Sequence, residues 1–269
     1  MAPQLLIYKT AVPVTRGRHG NWYLETTPSY AFSKQINSVP LMAVEFPQAA
    51  ADYAIVFAGA DDEYLPAVIL GVRGDENLFI DRNDTWAASY VPAFVRRYPF
   101  VFSRSEDRFV LCVDEAFRGL NQEGRGQRLF DEDGKPSLYV DGILKFLREY
   151  QAQFMRTQHF CARLRQLDLL EPMQAQVTTD AGRKLSLSGF MAVSRTKLKD
   201  LPAETLAELV KTDELELIYL HLLSMRNFDR LRERLVQAEA AQAQAEAAQA
   251  AASLAAMPVS ETNGSARVH

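Results

Sequence analysis

An α+β fold is predicted for this chain by a change of hydrophobic rhythm part-way along it. Between residues 53 and 117 short β-rich runs alternate with turn residues, the pattern of antiparallel hairpins. From Ile143 the apolar residues recur instead at spacings of three and four, which is the helical period. The architecture expected is a hairpin-rich N-terminal half, a long central helix, a second hairpin and a helical C-terminus. With 48% apolar residues in 269, the chain can bury a sizeable core.

Taken in order, residues 54–58, 67–72, 77–80 and 109–113 read as strands. They are punctuated by Gly59, the Arg73-Gly74-Asp75 turn and the polar cluster 103–107. Between two of these strands Pro92 opens the short run PAFVRRY, which Pro99 stops. Proline suits a first helical turn because its missing N–H would have no partner there, so a short helix or turn carrying Arg96 and Arg97 is expected. A turn-rich loop covers residues 119–136. The central helix follows from Ile143 through Phe146, Leu147, Tyr150, Phe154, Thr157, Cys161, Leu164 and Leu167, and ends before Pro172; Lys145, Arg148, Glu149, Arg156 and Arg163 mark its exposed face. Residues 175–179 and 184–193 form a hairpin around Asp180-Ala181-Gly182. Two helices complete the body, one over 202–210 and one from about Asp213 with Leu217, Leu220, Ser224, Phe228, Leu231 and Leu235 on one stripe.

Beyond Leu235 the composition collapses to Ala, Gln and Glu. Residues 1–236 are therefore read as a single domain and 237–269 as a low-complexity tail. Alanine is the best helix former, so the tail can extend the preceding helix. It lacks the large apolar residues a coiled-coil seam wants and is expected to fray or project into solvent.

A formal charge of −4 gives no global basic footprint, so nucleic acid is not an expected partner. Cys112 and Cys161 stand apart in apolar surroundings and read as buried thiols, not as a disulfide or a zinc site. The first residues have no basic region ahead of an apolar run, and no stretch reaches the length of a membrane helix. A cytoplasmic location is the expectation, although export without a signal leaves no such trace. The sequons at Asn83 and Asn263 then carry no glycan.

No cofactor or metal is expected. None of His19, His159, His221 and His269 belongs to a metal-ligand spacing, and His159 and Cys161, two apart on a helix, do not face one another. His159 and His221 read as packed or capping residues. His19, in TRGRHGNWY, reads as part of a basic arm or a surface loop. The acidic runs at 81–85 and 131–134 invite a calcium reading but lack the twelve-residue loop, so they are taken as hairpin turns. Gly124-Arg125-Gly126 follows no strong strand and opens no helix, unlike a phosphate loop.

The richest stretch is 76–100, ENLFIDRNDTWAASYVPAFVRRYPF, with three Phe, two Tyr and one Trp around a polar turn and a closing Arg pair. Rings and guanidinium groups supply rigid contact area, cation–π attraction and bidentate hydrogen bonding. The candidate ligand-binding residues are Asn77, Asp81, Trp86, Tyr90, Arg96, Arg97 and Tyr98. Adjacent residues on a helix point different ways, so one arginine is expected to hold the fold, against a carboxylate such as Asp81 or Asp114, and the other to face a ligand.

The wording of the chain adds to this. PLMAVEF (40–46), AIVFAG (54–59), AVILGV (67–72), ENLFID (76–81) and the YxPxxxRRYPF core (90–100) come first. VLCVDE (110–115), LFDEDGKP (129–136), LLEP (169–172), SGF (188–190) and IYLHLLSMRNF (218–228) follow. In this order the series resembles the SapC family of bacterial proteins, over roughly residues 5–235. The family takes its name from a protein linked to a bacterial surface layer. Related genes stand near halogenase-like, cupin-like and outer-membrane receptor genes, and the resemblance brings no catalytic residue or cofactor with it. The function expected is a non-catalytic accessory or binding protein that recognises a peptide or protein partner through the aromatic and arginine segment. The alternatives are a peptide-modifying enzyme, with Asn77, Asp81, Arg96 and Asp114 converging in space, and a surface-layer component; oligomeric state is left open.

Overall fold

The computed structural model describes residues 6–255 apart from 27–28, 61–62, 106–107, 179–181 and 183. The tip of the second hairpin, part of the polar cluster 103–107, the end of the tail, His269 and the sequon at Asn263 lie outside the described residues. The chain enters through β1 (Ala11–Pro13), the single helical turn α1 (Arg16–His19) and β2 (Tyr23–Leu24). A 3-10 turn at Ala31–Ser33 precedes β3 (Ser38–Pro40), and a second at Ala43–Glu45 runs into α2 (Phe46–Ala49). The hairpin β4 (Ile55–Ala60) and β5 (Glu63–Ile69) follows. Next come α3 (Ala93–Arg96), β6 (Phe100–Ser105), β7 (Arg108–Asp114), β8 (Leu120–Asn121) and β9 (Gln127–Arg128). The long helix α4 (Leu138–Gln166) leads to the hairpin β10 (Leu170–Thr178) and β11 (Lys184–Val193). The chain ends in α5 (Arg195–Lys199), α6 (Ala203–Lys211), α7 (Glu214–Ser224) and α8 (Asn227–Ala255).

The described strands form three antiparallel sheets, ordered β10-β11-β4-β5-β3, β1-β7-β6 and β8-β2-β9. This is the α+β class, with hairpins before the long helix and a further hairpin and helices after it. Pro172 is tolerated in β10 because that strand lies at the sheet edge, where a missing donor breaks no second ladder. Helix α4 joins two cores: Val140 and Leu147 pack with Phe100, Val113 and Leu129, whereas Phe160, Cys161 and Leu164 pack against the five-stranded sheet. Both cysteines are buried free thiols. No helix among the described residues is long and apolar enough to cross a membrane.

A polar stripe runs through this apolar interior. His221, Ser224 and Asn227 are three residues apart, and all are buried against residues 50–55. The Ser224 hydroxyl accepts the Ile55 N–H at 3.0 Å, and the Asn227 amide donates to the carbonyls of Ala50 and Tyr53 at 2.9 and 2.8 Å. His221 Nε2 accepts the Val193 N–H at 3.0 Å. The other ring nitrogen must then carry the proton, and Nδ1 donates to the Ile55 carbonyl at 2.9 Å. The imidazole thus continues the contact between β11 and β4 beyond their last ladder pair, Met191 with Phe57. Five buried backbone groups thus find side-chain partners in an apolar core, where leaving them unpaired would be costly.

Several elements differ from their sequence-based expectation. Residues 77–80 form a turn and not a strand, because the Asn77 side-chain Oδ1 accepts the Phe79 N–H at 2.9 Å and leaves one isolated bridge, Ile80 with Trp86. The strand expected at 67–72 begins earlier, at Glu63, and the one expected at 175–179 begins at Leu170. Helix α4 starts five residues before Ile143, where the Ser137 hydroxyl accepts the Val140 N–H. The last expected helix is two, broken after Ser224, and the turn between them brings Asn227 against the end of α2. Helix α8 runs without interruption past residue 236, and Glu239 pairs with Arg73. His19 is not on a surface arm. It is fully buried, with Nδ1 accepting the Thr15 N–H at 3.3 Å and Nε2 meeting Glu115 at 3.2 Å, while Arg18 forks onto the same carboxylate. His159 is exposed, whereas His221 is packed.

Burial lowers the His221 pKa from 6.5 to about 4. An imidazole whose folded pKa lies below its unfolded value is protonated first in the unfolded chain. Its contribution is complete above pH 6.5 and is lost as pH falls towards 4. Between those limits stability falls by about 1.4 kcal/mol per pH unit on account of this group. Urea unfolding at pH 7, 6 and 5 will show a steeper decline for the native chain than for His221→Gln, which is the less stable of the two at pH 7.

Candidate functional site

The segment 90–98 is held in place by one carboxylate. Glu45 ends the 3-10 turn at Ala43–Glu45 and is 4% exposed. One of its oxygens accepts the Tyr90 hydroxyl and the Ala93 N–H, both at 2.7 Å, and the other accepts the Met42 N–H at 2.8 Å. Burial raises its pKa, and the two backbone N–H groups offset part of that rise. Burial also pushes the Tyr90 hydroxyl up to about 12. Because Pro92 has no N–H, the first donors of α3 fall to later residues: the N–H groups of Val95 and Arg96 both bond to the Pro92 carbonyl, and that of Ala93 goes to Glu45.

The helical turn then sends the two arginines apart. Arg97 is 3% exposed, and its guanidinium carbon lies 4.3 Å from the Phe94 ring centre, 4.9 Å from Tyr150 and 5.7 Å from Tyr8. It is a cation held in the core by aromatic faces. Arg96 is exposed. Its Nε donates to the Val91 carbonyl at 2.9 Å and one Nη to the Tyr90 hydroxyl at 3.1 Å. The guanidinium carbon sits 5.6 Å from the Tyr90 ring centre and 5.5 Å from that of Phe146 on α4. Glu45, Tyr90 and Arg96 thus form one chain of contacts from core to surface. Beside it Phe146 and Phe154 lie half-buried over Met42, Ala93 and Tyr150.

The remaining candidates go elsewhere. Trp86 donates its indole N–H to the Tyr53 hydroxyl at 2.6 Å and packs edge-on against Tyr30; Tyr53 itself donates to the Tyr90 carbonyl. Asn77 is buried, bonding the Ser33 carbonyl and the Phe79 N–H. Asp81 closes its own turn by accepting from Asn83 and Thr85, which also lowers its pKa, the Thr85 hydroxyl bond being the largest cause. Asp131 closes the second acidic turn by accepting the Lys135 N–H. Tyr98 stacks on Phe32 and directs its hydroxyl to Asp114. Asp114 is wholly buried and accepts the N–H groups of Lys9, Thr10 and Ala116. Tyr90 and Arg96 are therefore brought together, whereas Asn77, Asp81 and Asp114 are separate backbone caps that do not converge with Arg96.

Sequence reasoning passed over Glu45, Tyr53 and Phe146. The one usable sign was a single carboxylate in the apolar run PLMAVEF, since an acid at such a position needs donors. Among the described residues no group of three His, Cys, Asp or Glu is placed to hold a metal ion. Glu45→Ala leaves two backbone N–H groups and a phenol without their acceptor, and unfolding in urea is expected to show a loss of about 3 kcal/mol. Tyr90→Phe removes only one of those bonds, for an expected cost of about 1 kcal/mol.

In comparisons with known proteins, the SapC family model matches residues 14–231 of the chain. No curated protein and no solved structure matches it.

Proposed function

The chain belongs to the SapC family, and from that premise and the geometry of residues 90–98 we propose that it is an accessory protein that binds a peptide or protein partner. The observation that carries the reading is the state of Arg96. Its guanidinium is fixed by two hydrogen bonds and two ring faces, yet it lies at the surface. Its Nη1 group has no partner among the described residues. Holding so long a side chain in one geometry normally costs rotamer entropy at the moment of binding, and here the fold has already met that cost. An arginine between aromatic rings, beside the half-buried Phe146 and Phe154, has the composition of an interface centre. The donors left over suit a carboxylate or a carbonyl of the partner.

The reading is tested by quantitative capture from native lysate on immobilised protein. Arg96→Ala is expected to lower recovery of the captured partner by about tenfold or more, with a thermal midpoint within about 2 °C of the native chain. Arg148→Ala, on the exposed face of α4, is the control and should change neither. Equal losses for the two variants, or unfolding of Arg96→Ala, would overturn the proposal.

A further inference from the structure

On the far side of Arg97 in the chain, Tyr98 forms part of the floor of a cleft of about 560 Å³, within the range of small-molecule sites. The Phe32 ring stacks on Tyr98 with centroids 4.1 Å apart and planes 21° from parallel, and Phe117 meets Tyr98 edge-on at 5.5 Å. The Tyr98 hydroxyl turns inward to Asp114, so the cleft receives the ring and not the polar tip. Gly119 makes room for this floor. A side-chain carbon there would lie 2.6 Å from the Phe117 ring and 2.3 Å from the Glu25 carbonyl oxygen.

The charges on the walls are unequal. Lys34 is paired with Asp84, and Glu25 with Arg125. Lys9 and Arg118, both exposed, line the same cleft and have no acidic partner among the described residues. Two uncompensated cations above a floor of aromatic rings call for a flat ligand with a negative end. We propose that this cleft binds a small aromatic carboxylate, its ring against Phe32, Tyr98 and Phe117 and its carboxylate towards Lys9 and Arg118. Stacking rewards the planar ring, and the cations reward the charge. The site does not use Arg96 and stands independently of the partner-binding reading.

Isothermal titration calorimetry at low ionic strength tests it, with benzoate and indole-3-acetate as probes and with neutral benzamide and non-aromatic cyclohexanecarboxylate as controls. At least one aromatic acid is expected to bind saturably with a Kd below about 1 mM and at least tenfold tighter than both controls. Lys9→Ala and Arg118→Ala should each weaken it by about fivefold, and salt should weaken it further. Ala116→Trp fills the cleft from an exposed wall position and should abolish binding with an unchanged thermal midpoint. Arg96→Ala should leave binding intact. No saturable binding of either acid, equal affinity for benzamide, or binding that survives Ala116→Trp would overturn the assignment.

Discussion

The backbone around the start of β4 enters the core with polar groups that no strand can satisfy, and the rest of the fold is arranged around their satisfaction. Ala50, Tyr53 and Ile55 are all buried, and so is Val193 across the sheet. The carbonyls of Ala50 and Tyr53, both backbone groups of Ile55 and the N–H of Val193 are met by the side chains of His221, Ser224 and Asn227. An unmet backbone group in such a place costs far more than an ordinary hydrogen bond returns. The position of α7 against the sheet is thus set by matching donors to acceptors, which is directional, and not only by apolar contact, which is not. The break between α7 and α8 belongs to the same arrangement, because it presents Asn227 to the end of α2.

From that frame the segment 90–98 receives its shape. Tyr53, positioned between α2 and β4, reaches the Tyr90 carbonyl, and Glu45 at the entry to α2 holds Tyr90 and Ala93. Three consecutive residues then face three environments: Arg96 the surface, Arg97 an aromatic interior and Tyr98 an open cleft. A buried guanidinium is costly unless its charge is met, and Phe94, Tyr150 and Tyr8 surround it with electron-rich ring faces. Arg97 and Arg96 are alike in sequence and opposite in situation.

Elements governed by local pattern were legible in the residues. The runs that became β4 and β7 carry β-branched and aromatic side chains between clear turn signals, and the helical period of α4 follows from what it buries. The start of α4 was not legible, because Leu138 is 91% exposed and the buried Val140 is cut off from the rest of the apolar stripe by Asp141 and Gly142. The Asn77 turn was misread as a strand since its side-chain bond to the backbone leaves no mark in hydrophobicity. His19 lies among Arg and Gly, the composition of a loop, and nothing local reveals that Glu115, 96 positions on, covers it. Of the candidate site, the separation of Arg96 from Arg97 follows from helix geometry alone. Which of the two turns inward depends on Tyr8 and Tyr150, and these are distant in the chain.

The His221 ring also has a mechanical meaning. The ribbon of β10 and β11 is joined to β4 through a short ladder at Phe190 and Met191, and beyond it through an imidazole mounted on α7. At that point the attachment of the ribbon passes from a backbone ladder to a side chain mounted on a helix, so the placing of the ribbon and the seating of α7 are linked, as ribbon and α8 are linked where Phe190 stacks on Phe228.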